Sequence, residues 1–330
     1  MAKIYNDQDA DISALRDRTI AIIGYGIQGR GQALNLRDSD LNVIVSELEG
    51  TPNYQQAVED GFKPIPANKA AKKGDIIQIL TQDHVQAGLY RKSIRRYMGK
   101  GKALVFSHGF NIHFKQIVPV DDVDVWMIAP KGPGALVRQQ FVEGKGVPCL
   151  VAIFQDASGS ALKDALAYAK GIGGTRAGVI ETTFKEETET DLFGEQTVLC
   201  GGVSALIKAG YETLVGAGYQ PEIAYYECLH ELKLITDLIY QYGITGMRQR
   251  VSDTAEYGDY SRGQRIVNQR TRKEMQKILT EIQSGKFARE WIRENKRGRQ
   301  NFDEMRKNER AHPIEKIGEQ LRSMMPWMKD

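Results

Sequence analysis

The 330-residue sequence contains only three cysteines, and Cys149, Cys200 and Cys228 lie far apart in the chain. An odd number of isolated cysteines excludes a disulfide framework and the paired-cysteine motifs of structural zinc sites. The sequence also lacks a strong charge of either sign, since its formal net charge at pH 7 is +3. A charge this small and this evenly spread argues against a nucleic-acid or membrane-surface partner.

Long apolar segments are also missing from the sequence. The polar start, MAKIYNDQDADIS, does not fit a signal peptide, and no apolar run approaches the ~18 residues needed to cross a bilayer. We therefore expect a cytoplasmic protein without a membrane partner. Hydrophobic residues make up 41% and charged residues 26% of the chain, and its length allows two globular domains.

The first half of the chain alternates short apolar segments with segments of helical character. The apolar segments, rich in β-branched and aromatic residues, are 19–24, 41–46, 75–80, 103–109, 123–130 and 147–154. Strands that alternate with helices predict a parallel sheet with helices on both faces. After residue 182, apolar residues recur at helical spacing. The predicted fold class is α/β, with a Rossmann-type doubly wound parallel sheet in residues 1–182 and an all-α domain in residues 183–330.

A glycine-rich turn follows the first of these strands. It places three glycines between an apolar strand and a helix. In the dinucleotide-binding fingerprint such glycines allow a tight turn, close approach to a pyrophosphate, and close packing of helix on strand, while the helix N-terminus binds the phosphates. A glycine-rich turn without a ligand is the alternative. The residues predicted to bind a nicotinamide dinucleotide here are Gly24, Tyr25, Gly26, Ile27, Gln28 and Gly29.

The end of the second strand is where such a fold distinguishes NADH from NADPH. An acidic residue there accepts hydrogen bonds from the ribose 2′-hydroxyl and repels a 2′-phosphate. The loop has two glutamates, and no Lys or Arg occurs from Asp38 to Phe62. We predict that NADH is used at least as well as NADPH; the alternative is that both glutamates point to solvent and Arg37 supplies a cation. The predicted contacts are Ser46, Glu47, Leu48, Glu49, Thr51 and Asn53.

Two acidic pairs with a spacing of four residues occur in the helical half. They are Asp191 with Glu195, and Glu227 with Glu231. Residues four apart share a face of an α-helix, where like charges repel. Four carboxylates without a cysteine or histidine cluster are typical of a site for Mg²⁺ or Mn²⁺ rather than zinc. Each pair alone also fits a solvated helix face, but two pairs in apolar helices favour metal binding.

Five longer segments resemble signature segments of the ketol-acid reductoisomerases. They are SHGFNIHF (107–114), APKGPG (129–134), DLFGEQTVLCGG (191–202), ECLHELKLI (227–235) and VSDTAEYG (251–258). Their order and spacing match the short, class I form of that family over roughly residues 3–325. The resemblance implies a Rossmann domain joined to a knotted all-helical domain. It also implies a homodimer of interlocked subunits with shared active sites. In some relatives such dimers assemble into larger shells.

The resemblance assigns the acidic pairs to the metal site. Asp191 and Glu195 resemble the ligands that one subunit provides for two Mg²⁺ ions, with Asp191 bridging them. Glu227 and Glu231 resemble the carboxylates that the partner subunit supplies. Ser252 resembles the residue that contacts the substrate carboxylate, and Asp191, Glu195 and Glu231 would also lie beside the substrate.

The resemblance also implies three catalytic residues. His108 and Lys131 match polar residues near the metals and the nicotinamide, and Glu231 would combine metal ligation with proton handling. A packing histidine after a strand and a loop lysine before a Gly-Pro turn are the simpler alternatives for the first two. Gly134, in the segment PKGPG, is added to the predicted cofactor contacts.

The reaction implied by the resemblance has two steps. An alkyl group of 2-acetolactate or 2-aceto-2-hydroxybutyrate migrates with the help of Mg²⁺, and NADH or NADPH then reduces the new 2-keto acid. The 2,3-dihydroxy-3-alkyl acid formed leads to branched-chain amino acids. One alternative is a β-hydroxyacid-type dehydrogenase, which needs no metal and would resist EDTA. The other is a nucleotide sensor without chemistry, against which the intact set of four carboxylates argues.

Overall fold

The first unit of the structure, which ends at Thr190, is built on one eight-stranded sheet. The structure is a computed structural model and describes residues 2–328. In chain order the strands are β1 (Ile4–Tyr5), β2 (Thr19–Ile23), β3 (Asn42–Ser46), β4 (Ile76–Ile79), β5 (Ala103–Phe106), β6 (Asp124–Pro130), β7 (Cys149–Gln155) and β8 (Val179–Glu181). Their order across the sheet is β1-β8-β7-β6-β5-β4-β2-β3.

The strands from β2 to β6 form the parallel part of the sheet. Every neighbouring pair among them is parallel, and all residues of β4 and β5 are buried, as expected for strands covered on both faces. From β2 the chain moves outward to β3 and then returns to β4 on the opposite side of β2. The loops after β2 and β4 therefore diverge, and this switch point opens a crevice at the carboxyl ends of the strands.

The other three strands differ from the predicted all-parallel arrangement. β7 is antiparallel to β6, β8 is parallel to β7, and β1 closes that edge antiparallel to β8. The sheet is thus mixed, although the predicted α/β class with a following helical domain is confirmed. β1 and β8 are two and three residues long, too short to show the alternation that identifies a strand from sequence.

Helices cover both faces of this sheet. Alternate residues of β2 belong to different buried clusters, Ile20 and Ile22 to one, Ala21 and Ile23 to the other, because successive side chains of a strand point to opposite faces. Short 3₁₀ or π turns occupy Ile12–Leu15, Tyr90–Ile94, Arg95–Tyr97 and Gly174–Arg176. The α-helices are α1 (Ile27–Asp38), α2 (Pro52–Glu59), α3 (Ala67–Lys73), α4 (Asp83–Leu89), α5 (Phe110–His113), α6 (Gly134–Val142) and α7 (Ala161–Gly171).

The second unit, from Asp191 onward, is helical throughout its described residues. Helix α8 (Phe184–Gly194) begins in the first unit, so the units divide within a helix, eight residues after the boundary expected at residue 182. The following helices are α9 (Gly201–Gly216), α10 (Pro221–Tyr225), α11 (Glu231–Arg248), α12 (Asp253–Ile266), α13 (Gln269–Gln283), α14 (Lys286–Lys296), α15 (Gln300–Arg310) and α16 (Pro313–Ser323), with a final 3₁₀ turn at Pro326–Met328. Two π turns interrupt this series, at Glu195–Leu199 and Tyr226–His230.

The second unit leaves much apolar surface uncovered within one chain. Its buried cluster is small and centres on Tyr211 and Tyr225. In contrast, Leu206, Tyr240 and Tyr257 are 55%, 88% and 70% exposed. Large apolar side chains exposed to this extent are candidates for a surface that another molecule covers.

One helical run qualifies by length and composition as a membrane span. Phe184–Gly216 contains an 18-residue window of mean hydropathy 1.3, with 6% of that window buried in the chain. The expectation that no segment reaches this length and apolarity is therefore wrong for this run. A single helix of this kind is weak evidence, because helices that pack between globular subunits share its composition.

Candidate functional site

The glycine turn lies at the switch point, between β2 and α1. Gly24 has a φ of +103°, and a Cβ there would lie 2.9 Å from the backbone nitrogen of Thr81. A Cβ at Gly29 would lie 2.0 Å from the carbonyl oxygen of Gly24, so both positions require glycine. A Cβ at Gly26 would meet no described atom within 4 Å. The middle glycine therefore faces open space in front of the α1 N-terminus, as a pyrophosphate requires.

A cleft of about 350 Å³ extends from this turn along the carboxyl ends of the strands. It carries a polar group without a protein partner, since the hydroxyl oxygen of Thr81 is buried and has no hydrogen-bond partner among the described residues. The size and the glycine cradle fit a dinucleotide. The lining residues are Gly26, Ile27, Gln28, Ile79, Leu80, Thr81, Gln82, Asp83, Gln86, Ser107, His108 and Pro130.

Gly134, predicted as a cofactor contact, has a packing role in the structure. A Cβ at this position would lie 2.3 Å from the carbonyl oxygen of Ile27, and a Cβ at Gly31 would lie 2.5 Å from the carbonyl oxygen of Gly134. These two glycines therefore allow α6 and α1 to approach closely. Gln28 adds a hydrogen bond from its side-chain amide to the carbonyl of Gly132, at 2.9 Å. The loop that carries Lys131 is thus tied to the helix that begins at the glycine turn.

Glu47 points toward the glycine turn rather than into solvent. Its two carboxylate oxygens accept hydrogen bonds from the backbone N–H of Tyr25, at 2.6 Å, and of Leu48, at 2.8 Å. The preceding residue, Ser46, is buried, and its carbonyl accepts from the N–H of Gly24 at 2.9 Å. Glu47 therefore holds a fixed negative charge where the adenosine ribose of a dinucleotide lies in this fold.

The remaining residues of this loop divide into structural and exposed positions. The hydroxyl of Thr51 accepts from the N–H of Tyr54 at the start of α2 and donates to the carbonyl of Leu48, so it caps the helix and closes the loop. Leu48, Glu49 and Asn53 are exposed. The structure thus gives Thr51 a role in shaping the loop, and the contacts of the loop with a cofactor stay a prediction.

The alternative in which Arg37 supplies a cation to this loop is disfavoured by its contacts. Its guanidinium donates to the carbonyl of Asp60 at 2.5 Å and stacks on the ring of Phe62 at 4.9 Å. A second arginine of α1, Arg30, forms a bidentate ion pair with the carboxylate of Asp60, at 2.6 and 3.0 Å. Both arginines are therefore engaged with the end of α2.

A second cluster, at the far end of the cleft, combines His108 and Lys131 with the carboxylate of Glu187. Nδ1 of His108 and Nζ of Lys131 each lie 3.2 Å from this carboxylate, and the N–H of Gly109 donates to it at 2.9 Å. Glu187 is 1% exposed. Burial alone would raise the pKa of its carboxyl, but His108, Lys131 and the Gly109 N–H together hold that pKa below its ordinary value of 4.5. Glu187 is therefore an anion that orients the two predicted catalytic side chains.

Sequence reasoning missed Glu187, although a signal was present. Glu187, Asp191 and Glu195 follow one another at intervals of four residues along one helical run. The pattern that indicated the pair Asp191 and Glu195 extends one turn further toward the N-terminus. The structure places Asp191 one turn after Glu187 on α8.

The two acidic pairs lie at π turns, which corrects the assumption of regular α-helical spacing. Glu195 begins the first π turn, Glu227 lies within the second, and Glu231 directly follows the second. In a π turn the bonded residues are five apart, and such turns are frequent at functional sites. Glu195, Glu227 and Glu231 are exposed, and Asp191 is half-buried.

Ser252, the predicted substrate contact, is the N-cap of α12. Its hydroxyl oxygen accepts from the N–H of Ala255 at 3.2 Å, and the residue is exposed. An exposed hydroxyl at a helix N-terminus is an arrangement suited to an anionic ligand.

The mixed sheet, the glycine turn and the cleft define a dinucleotide-dependent oxidoreductase of the Rossmann class. Residues 14–178 match the family profile described as acetohydroxy acid isomeroreductase, NADPH-binding domain, and residues 184–327 match ketol-acid reductoisomerase, C-terminal domain. The chain belongs to the ketol-acid reductoisomerase family, whose members are oxidoreductases of branched-chain amino acid synthesis that use a nicotinamide cofactor.

Solved structures agree with this assignment. A structure of an NADH-preferring ketol-acid reductoisomerase from an uncultured archean is 47% identical, covers 98% of this chain and 99% of that chain, and has a TM-score of 0.96. A putative oxidoreductase from Jannaschia sp. CCS1 is 12% identical, with coverages of 82% and 97% and a TM-score of 0.61. An NAD-binding semialdehyde dehydrogenase protein from Cupriavidus necator is 16% identical, with coverages of 81% and 99% and a TM-score of 0.60. The last two show only that the fold is shared.

Proposed function

We propose that the chain converts 2-acetolactate or 2-aceto-2-hydroxybutyrate into the corresponding 2,3-dihydroxy-3-alkyl acid, using NADH and two Mg²⁺ ions. The observation that carries this proposal is the buried, ionised Glu187, which holds His108 and Lys131 beside the dinucleotide cleft. A cofactor-binding fold alone would not need a charged cluster at that end of the cleft. Such a cluster is suited to a substrate whose oxygens gain and lose charge during reaction.

The preference for NADH is supported by the fixed charge of Glu47. A carboxylate in that place accepts hydrogen bonds from ribose hydroxyls and repels a 2′-phosphate. Arg30 and Arg37, the cations of α1, are engaged with Asp60. The solved relative at 47% identity is also described as NADH-preferring.

The metal site proposed here consists of carboxylates, the donors that Mg²⁺ prefers. Asp191 and Glu195 would supply ligands from one chain, and Glu227 and Glu231 from a second copy. When bound, the ions would supply Lewis-acid polarisation of the substrate oxygens and a template for alkyl migration. Mn²⁺ has the same ligand preference and is an alternative ion.

The protein side chains would handle protons and orientation. His108, held through Nδ1 by Glu187, would relay or donate a hydrogen bond at the substrate oxygens. Lys131 would offset negative charge on the substrate, and Glu231 would accept or return a proton near the migrating carbon. Ser252 would bind the substrate carboxylate through its hydroxyl hydrogen and the α12 N-terminus.

A homodimer is supported by the second unit itself. Its buried cluster is small, while Leu206, Tyr240 and Tyr257 are mostly exposed in one chain. A second copy that covers this surface would also bring Glu227 and Glu231 of one chain to Asp191 and Glu195 of the other. The same contact would cover the apolar helical run Phe184–Gly216 with protein. The run would then be buried in the interface of a cytoplasmic dimer and would not cross a membrane.

Turnover of 2-acetolactate in the presence of Mg²⁺ tests the proposal, followed through the absorbance of the reduced cofactor. We expect activity that EDTA abolishes and Mg²⁺ restores, and a kcat/KM for NADH at least equal to that for NADPH. Glu195→Gln should abolish isomerisation with the fold retained. Full activity after metal removal would favour the simple dehydrogenase, and a preference for NADPH of more than about tenfold would contradict the role of Glu47.

A further inference from the structure

A buried polar network lies beneath the dinucleotide cleft and ends at the hydroxyl of Ser107. Gln32 of α1 and Gln78 of β4 are both 0% exposed, and each donates a side-chain amide hydrogen to the Ser107 oxygen, at 3.1 and 2.8 Å. Ser107 directly follows β5 and lines the cleft beside His108. Two fully buried amides that converge on one hydroxyl hold it in a fixed position.

One backbone carbonyl sets the direction of the hydrogen bonds in this network. The carbonyl of Gly132 can only accept, so the side chain of Gln28 presents its amide nitrogen there, at 2.9 Å. Gln28 therefore turns its oxygen toward Gln32, which donates to it at 3.2 Å. The oxygen of Gln32 then accepts from the hydroxyl of Tyr168 at 2.7 Å. Gln32 is left to present its nitrogen, a donor, to Ser107.

Ser107 consequently has only a donor to offer the cleft. A hydroxyl has two acceptor lone pairs and one hydrogen, and both lone pairs of Ser107 accept from Gln32 and Gln78. Within residues 2–328 the hydroxyl hydrogen has no acceptor. In this orientation the buried side-chain oxygen of Gln78 has no partner among the described residues. A reversed Gln78 amide would accept the Ser107 hydrogen instead but would leave two buried N–H groups unpaired, and buried N–H groups without acceptors are rarer than under-satisfied carbonyl oxygens.

The position of Ser107 in the sheet identifies the part of the cofactor that it faces. Glu47, after β3, marks the adenosine side, and the glycine turn after β2 takes the pyrophosphate. β4 and then β5 follow on the other side of β2. A dinucleotide that crosses the carboxyl ends of the strands therefore brings its nicotinamide to the end of β5. The nicotinamide carboxamide has one acceptor, its carbonyl oxygen.

We propose that Ser107 is a positioning residue for the nicotinamide, whose hydroxyl donates a hydrogen bond to the carboxamide oxygen. The buried amides of Gln32 and Gln78 hold this donor, and the hydrogen bond fixes the plane of the ring that transfers hydride to the substrate. The proposal rests on the binding of a nicotinamide dinucleotide in this cleft.

Ser107→Ala tests the proposal when the binding of NADH is compared with that of ADP-ribose, which shares all of the cofactor except the nicotinamide. We expect the Kd of NADH to rise about 3- to 10-fold, the effect of one lost neutral hydrogen bond, and the Kd of ADP-ribose to stay within about twofold. Ser158→Ala is the matched control, because its hydroxyl is bonded to Asp124 and does not line the cleft. It should change neither constant.

If Ser107→Ala raises the Kd of ADP-ribose as much as the Kd of NADH, the proposal is overturned, because the serine would then act only through the shape of the glycine turn. The unmodified protein provides a second test that does not depend on the folding of a variant. The thionicotinamide analogue of NADH offers sulfur, a weaker acceptor, and should bind more weakly by about threefold or more. Equal binding of the two would also overturn the proposal. Absence of any NADH binding to the folded protein would instead reject the cofactor assignment on which it rests.

Discussion

Replacement of Glu187 by Gln tests whether the Glu187 carboxylate orients the side chains of His108 and Lys131. The change keeps the shape of the side chain but removes the charge that both residues contact at 3.2 Å. Without this anion, the ring of His108 loses the carboxylate contact at Nδ1, and Lys131 loses its ion pair with Glu187. We expect kcat with acetolactate, Mg²⁺ and NADH to fall about 100-fold, as for other groups that orient catalytic side chains.

The expected effect of Glu187→Gln on stability is modest. A buried hydrogen bond to a charged group contributes about 1.5–3 kcal/mol. Lys131 is 34% exposed, so solvent screens its share, and loss of a buried charge recovers part of the desolvation cost. The free energy of unfolding should therefore fall by only about 1–2 kcal/mol, so that the protein remains folded during the assay.

Steady-state kinetics and thermal unfolding of the same preparations check this prediction. Glu186→Gln is the matched control, because Glu186 is the preceding residue of α8 and its exposed carboxylate is bonded only locally, to Thr182. It should leave both kcat and Tm near their original values. A Glu187→Gln enzyme with kcat within about threefold of the original would refute the positioning role.

Three further predictions concern the cofactor turn and its surroundings. Glu47→Gln should raise the Kd of NADH about tenfold and lower that of NADPH in fluorescence titrations, because the charge that repels a 2′-phosphate is removed. Gly29→Ala, whose Cβ would lie 2.0 Å from the carbonyl oxygen of Gly24, should lower the free energy of unfolding in denaturant titrations by about 2–3 kcal/mol. Asp60→Asn should lower it by about 1 kcal/mol at pH 7, because the carboxylate loses its ion pair with Arg30. The hydrogen-bonded ion pair with Arg30 lowers the pKa of Asp60; burial opposes this shift, but the hydrogen bond from Tyr25 adds to it, and the pKa lies below the ordinary 3.8. The stabilising contribution of the carboxylate is therefore complete above 3.8 and should disappear as pH falls through the folded-state pKa.

The parallel core of the sheet could be predicted because each of its strands can be recognised from its own residues and those next to it. Each of β2 to β6 lies within an apolar segment bounded by turn residues, and buried parallel strands are apolar throughout. β1, β8 and the antiparallel direction of β7 could not be predicted in this way. Two- and three-residue strands carry no periodicity, and the direction of pairing depends on contacts between distant segments, such as Ile4 with Ile180.

The candidate site shows the same division between local and distant information. The glycine turn and Glu47 follow directly from the strand and loop that contain them. Glu187 was missed because it lies in the charged run KEETE, which resembles a solvated helix face. Its burial depends on Gly109 and Lys131, which other strands bring to it. The π turns that begin at Glu195 and Tyr226 could not be predicted either, because amino-acid composition does not indicate such irregularities of helix geometry.

The central claim is that each metal site combines carboxylates from two chains, and activity of mixed dimers tests it most directly. Glu195→Gln and Glu231→Gln chains are each expected to be inactive alone, and they are co-expressed with different affinity tags so that the mixed dimer can be purified. In a shared site, one of the two sites in that dimer has both substitutions and the other has none. The mixed dimer should therefore recover about half of the activity of the unsubstituted dimer. A mixed dimer as inactive as its two parents would contradict the claim, because each chain would then build its site alone.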